Sequence, residues 1–198
     1  MQGLTKQELR KHFKDLRLAR DPKEKISADL AVCTAFIESD VYKNSRDILI
    51  YVSGNIEIGT IDIIEKVLAD IKSGEDKRLL CPRCVSGTNE MHFYRINSLD
   101  DFETGHFGIL EPADECERVD YYSDALCVVP ALSFDTKGYR LGFGKGFYDR
   151  FLADFKGVPI GLCCESCITH GELPRDEHDI CVDWIITERG LFKTPLKT

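Results

Sequence analysis

A chain of 198 residues with 43% hydrophobic and 30% charged residues fits one globular domain with one active site, because a length in this range buries about 70% of its extended surface around a single core. Its 34 acidic against 26 basic residues leave a net charge of -8, a field that opposes nucleic acid, so any anionic ligand must be met by a local basic patch. No apolar run reaches the roughly 20 residues of a membrane helix, Met1 to Arg20 lack a secretory apolar stretch, and nine cysteines are an odd number, so a cytosolic protein with reduced thiols is expected.

From the amino end, Thr5-Lys6-Gln7-Glu8 has the form of a capping box and predicts a helix over 6–18. Leu9, Phe13 and Leu16 form its apolar stripe, with Lys6, Arg10, Lys14 and Arg17 on an adjoining one. Asp21-Pro22 starts a second helix. Asp47 to Val52 reads as a buried strand, and Gly59 to Ile71 as a helix with its apolar face on Ile63, Ile64, Val67, Leu68 and Ile71. Further strands are expected at Arg78 to Cys81, Met91 to Ile96, Ala125 to Pro130, Val158 to Cys163 and Trp184 to Thr187, with a short helix at Phe147 to Asp154. This alternation predicts an α/β three-layer sandwich, with a mostly parallel central sheet and helices on both faces. Ser98 to Asp124 is acidic and weakly periodic, and reads as a long surface loop.

The richest stretch is Val129 to Asp135, followed by Gly138-Tyr139-Arg140-Leu141-Gly142-Phe143-Gly144-Lys145-Gly146-Phe147-Tyr148-Asp149. Three alternate glycines interspersed with two cations can turn successive N–H groups toward one anion, with Arg140 and Lys145 adding formal charge and a helix start adding its dipole. The spacing matches neither the dinucleotide fingerprint nor the Walker A loop. The alternative is a flexible turn with solvated charges. Asp149 lies at that helix start, and with a second acid such as Asp179 or Asp183 it has the chemistry of a magnesium site; otherwise these are surface acids.

The string Arg140 to Asp149, preceded by Pro130 and Phe134-Asp135, resembles the signature of 5-formyltetrahydrofolate cyclo-ligases. Lys6-Gln7-Glu8-Leu9-Arg10, Glu57 with Thr60, Pro82-Arg83, Met91 before Phe93, and Glu111-Pro112 follow in the family's order. The resemblance implies that Lys6, Gln7, Glu8, Leu9 and Arg10, with Arg140, Leu141, Gly142, Phe143, Gly144, Lys145, Gly146, Phe147 and Tyr148, line an ATP site. It further implies that Asp149 and Asp179 hold Mg2+. Arg10, Val52, Glu57 and Phe143 to Phe147 would face 5-formyltetrahydrofolate. Arg140 and Lys145 would act catalytically in its ATP-dependent cyclisation to 5,10-methenyltetrahydrofolate. Phe143 stands where some relatives carry arginine or tyrosine, and Phe147 where tyrosine is usual. ATP and the folate are the expected partners of a monomer, with neither nucleic acid nor membrane.

Two other readings compete. A related α/β sheet can host a sugar-phosphate isomerase. Cys81-Pro82-Arg83-Cys84 has the spacing of half a zinc site, with Cys163, Cys164 and Cys167 as the imaginable remainder, and would make a zinc- or thiol-based interaction module. His170 and His178 read as loop residues.

Overall fold

The computed structural model describes residues 3–105 and 108–195. Helix α1 spans Lys6–Leu18 behind the predicted capping box: the Thr5 hydroxyl accepts from the Glu8 amide, and Glu8 Oε2 accepts from the Thr5 amide at 2.8 Å. Leu9 and Phe13 bury the expected stripe. Leu16 stays exposed, however, and Arg17 from the basic stripe is buried in its stead. Asp21 caps α2 (Pro22–Glu38), and a single turn, α3 (Asp40–Lys43), leads into β1 (Asp47–Leu49). Asp47 is fully buried and accepts from Arg78 Nε at 2.6 Å, which ties the start of β1 to that of β2 (Arg78–Cys84).

Helix α4 covers Ile61–Lys72, two residues later than the pattern predicts. Thr60 explains the delay, because its hydroxyl donates to the Tyr51 carbonyl at 2.8 Å and accepts from the Ser53 amide at 3.0 Å, which makes it part of the preceding loop. Strand β2 in turn runs past its predicted end and through Pro82. Its register with β1 finishes at Leu49 opposite Leu80, whose carbonyl accepts from the Ile50 amide. Main-chain groups alternate sides along a strand, so Pro82 faces the same side as Leu80, where β1 has already ended and a missing donor costs nothing.

Strand β3 (Met91–Ile96) returns antiparallel to β2. The region expected to be a long loop carries three short strands: β4 (Phe102–Thr104) and β5 (Leu110–Pro112) pair with each other, and β6 (Arg118–Val119) joins the edge of the main sheet beside β3. Residues 106 and 107 of that region lie outside the described residues. Strands of two or three residues are too short to display an alternation.

The remaining strands of the main sheet are β7 (Ala125–Val129), β10 (Val158–Leu162), β12 (Trp184–Thr187) and the unforeseen β13 (Gly190–Lys193). The eight strands run β13-β12-β10-β7-β1-β2-β3-β6, with β12, β10, β7, β1 and β2 mutually parallel. The fold is therefore α/β with a large, mainly parallel sheet. A second sheet holds β8 (Ser133–Asp135), β9 (Arg140–Leu141) and β11 (Ile168–Thr169), and delivers the chain to α5 (Phe147–Asp154). Phe151 of α5 packs 4.7 Å from the ring of Phe93, so the helix after the glycine-rich loop is anchored on β3.

Candidate ligand-binding site

The carboxyl ends of the parallel strands open into a cavity of about 560 Å³, the place where open α/β sheets bind ligands. Lys6 and Arg10 reach it from α1, Tyr51, Val52 and Glu57 from the segment after β1, and Pro130 from the end of β7. Arg140 to Asp149 form one wall, and Asp176 with Asp179 its margin. A wider depression of about 1140 Å³ lies near the amino ends of β7 and β10 and has neither the glycine-rich loop nor Glu57 in its lining.

The hairpin that carries the loop is held by buried Asp135, whose Oδ1 accepts from the Lys137 amide at 2.9 Å and the Tyr139 amide at 3.0 Å, while Oδ2 accepts from the Leu173 amide. Arg10 Nε then donates to the Gly142 carbonyl at 2.9 Å, which docks α1 on the loop. Of the three alternate glycines, Gly144 (φ +101°) and Gly146 (φ +71°) adopt left-handed backbone that side chains disfavour; Gly142 does not. A Cβ at Gly144 would lie 3.2 Å from the Arg10 guanidinium carbon. Lys145 stands exposed between them, and Lys14 Nζ sits 5.7 Å above the ring of Phe143.

Both acids expected at a metal are ion-paired. Arg140 donates to Asp149 Oδ1 and to the Ile180 carbonyl, each at 2.6 Å, and the Ile180 amide also donates to Asp149 Oδ1. Lys6 Nζ donates to Asp176 at 2.7 Å and to Asp179 at 2.6 Å. Burial works against the Lys6 charge, but the hydrogen bonds to Asp176 and Asp179 outweigh it and raise the ammonium above its ordinary range. All-oxygen donors of this kind suit a hard cation such as magnesium.

Elsewhere in the lining Glu57 is 9% exposed, and its Oε2 accepts from the Gly54 amide at 2.7 Å. Burial pushes its carboxyl up, opposed first by that hydrogen bond and then by the charges of Arg17 and Lys25. Tyr148 is pushed up as well, chiefly by burial, and its hydroxyl has no hydrogen-bond partner among the described residues.

Thus the cavity unites Lys6, Arg10, Val52, Glu57, Arg140 to Asp149 and Asp179, which the sequence spreads over more than 170 positions. Gln7, Glu8 and Leu9 fall outside its lining: Gln7 is exposed, Glu8 is spent on the helix cap, and Leu9 is in the core. Asp183, His170 and His178 also lie outside. Cys81 and Cys84 are three apart on β2 and project to opposite faces of the sheet, so they cannot share an ion; among the described residues no cluster of three or more His, Cys, Asp or Glu suits a metal. Sequence reasoning missed the turn Ser86 to Asn89, Ile109 to Glu111 and Asp176. The first of these had a signal in Ser86-Gly87-Thr88-Asn89, a turn between two predicted strands.

Residues 2–188 match the family model described as 5-formyltetrahydrofolate cyclo-ligase family. A Caenorhabditis elegans protein named probable 5-formyltetrahydrofolate cyclo-ligase is 31% identical over 198 residues, covering 93% of each chain. The mouse 5-formyltetrahydrofolate cyclo-ligase is 29% identical, covering 93% of this chain and 94% of its own. The solved structure of Aquifex aeolicus 5,10-methenyltetrahydrofolate synthetase superposes with a TM-score of 0.81 at 30% identity, covering 98% of this chain and 95% of that one. The chain belongs to the 5-formyltetrahydrofolate cyclo-ligase family.

Proposed function

We propose that the cavity holds ATP beside 5-formyltetrahydrofolate and that phosphoryl transfer to the formyl oxygen drives closure of the methenyl ring. The observation that carries this reading is one cavity lined both by the glycine-loop cations and by a buried carboxylate. Cations and turned amides suit phosphates, and a desolvated carboxylate suits the paired N–H donors of a pterin. Family membership supports the methenyltetrahydrofolate synthetase activity itself.

The formyl oxygen attacks the γ-phosphorus as the bond to the β-phosphate oxygen breaks, and ADP leaves. The N10 lone pair then adds to the formyl carbon, N10 loses its proton, and the C–O bond breaks to expel phosphate. What remains is the N5–CH–N10 bridge of 5,10-methenyltetrahydrofolate. Lys145 and Arg140 offset charge that grows on the transferring group, Lys6 and Arg10 hold the remaining phosphates, and Glu57 orients the pterin. Asp149 and Asp179 would hold magnesium, which neutralises phosphate charge when bound. We also infer a three-layer arrangement, supported by β1 and β7 being buried at every residue as strands covered on both faces are. We also infer a monomer in a reducing compartment, the latter supported by nine free thiols.

The test combines near-ultraviolet absorbance of the methenyl product with assay of ADP. One ADP per product, with none formed when the folate is omitted, is expected. Product formed without ATP, or ADP formed without folate, overturns the mechanism.

A further inference from the structure

Arg17 has no part in the steps above, yet it is 7% exposed and no carboxylate pairs with it among the described residues. Burying an uncompensated charge costs several kcal/mol, so its partners matter. Nη1 donates to the Ile56 carbonyl at 2.9 Å, and Nη2 donates to the Ala131 and Leu132 carbonyls, each at 2.8 Å. One guanidinium thus spans the segment that carries Glu57 and the turn that follows Pro130. Nη2 also lies 3.6 Å from Cys163 Sγ, and Nε has no hydrogen-bond partner among the described residues.

The consequence falls on the peptide unit between Ile56 and Glu57. Arg17 holds its carbonyl, the Gly54 carbonyl accepts from its N–H at 3.1 Å, and the Gly54 amide fixes Glu57 Oε2. These three bonds hold the peptide unit before Glu57 and the Oε2 of its carboxylate in place. We infer that Arg17 is a positioning residue for folate recognition, acting through the Ile56 carbonyl on Glu57; this rests on the assignment of Glu57 to the folate. Its charge adds a second effect, since it also lowers the carboxyl that burial raises. A neutral residue of the same length supplies neither the bond nor the field.

The experiment measures KM for 5-formyltetrahydrofolate and for ATP, with thermal melting as a control, in Arg17→Met, Arg17→Lys, Glu57→Gln and the double variant Arg17→Met/Glu57→Gln. Arg17→Met is expected to raise the folate KM about tenfold or more, the loss of one charge-assisted hydrogen bond, and to leave the ATP KM within about twofold of its wild-type value. The double variant should add little to Glu57→Gln, because both act on one contact. Equal increases in both KM values, or full additivity, overturn the inference. If Arg17→Met does not fold, Arg17→Lys decides: an ammonium keeps the charge without spanning both segments, so a folded Lys variant with unchanged folate KM also overturns it. Failure of the underlying reading is distinct, since Glu57→Gln would then leave the folate KM unchanged and the inference would fall with it.

Discussion

Lys145 has no carboxylate partner among the described residues, whereas Lys6 is held by Asp176 and Asp179, Arg140 by Asp149, and Arg10 is tied to the Gly142 carbonyl. Its charge is free to meet phosphate, so Lys145→Ala should lower turnover by ~10²-fold while leaving the melting temperature nearly unchanged. Lys137→Ala removes the same charge seven residues after Pro130, where the ammonium pairs with Glu172 on the surface, and turnover should stay within about twofold. Steady-state rates and melts on the two variants make the comparison. Glu57 works in the opposite sense. Its carboxyl is raised in the folded chain, chiefly by burial, so ionising it costs stability that is present below the unfolded value and lost as pH rises through the folded one. Glu57→Gln should therefore raise the melting temperature at pH 7 to 8 and narrow that gain toward pH 4, while the folate KM rises about tenfold or more. A lower melting temperature at pH 8 would contradict the sign.

At the level of elements, the hairpin that presents the loop depends on glycines in unequal ways. A Cβ at Gly138 (φ +86°) would lie 2.4 Å from the Val182 carbonyl oxygen, whereas nothing lies within 4 Å of one at Gly142. Gly138→Ala is expected to destabilise the fold by about 2 kcal/mol or more, and Gly142→Ala by less than about 1 kcal/mol, read by urea denaturation. The sequence could not separate these glycines, because φ is set by the turn that Asp135 organises and by the approach of Val182, both tertiary facts. By contrast α1, α5, β3 and β12 were legible to the residue, since each carries a cap, an apolar periodicity or turn residues within its own span. The extension of β2 through Pro82 was not legible, as it depends on where the neighbouring strand ends. Of the cavity lining, the glycine loop was legible in its glycine and cation spacing and Glu57 through family resemblance; the Arg17 tie was hidden because a charged residue on a basic stripe reads as solvated.

Across the whole molecule seven of the nine cysteines are buried, and only Cys84 and Cys116 are partly exposed. Alkylation of native protein should be confined to those two and slow, because burial raises both thiols, and all nine should react after denaturation. Mass spectrometry of iodoacetamide adducts reads the count, and native labelling of Cys163 or Cys167 would contradict the fold. The ion pairs of the cavity have a further effect. Lys6 and Arg140 carry their own counter-ions, so under the proposed function an incoming triphosphate would displace carboxylates instead of dissolved salt. Nucleotide affinity should then respond weakly to ionic strength, unlike that of an open basic patch. The displaced Asp149 and Asp179 would be left beside like-charged phosphate oxygens. On the proposed reading each then becomes available to a divalent cation when the nucleotide arrives, so that metal and nucleotide binding are expected to be reciprocal, each raising the other's affinity by the same factor.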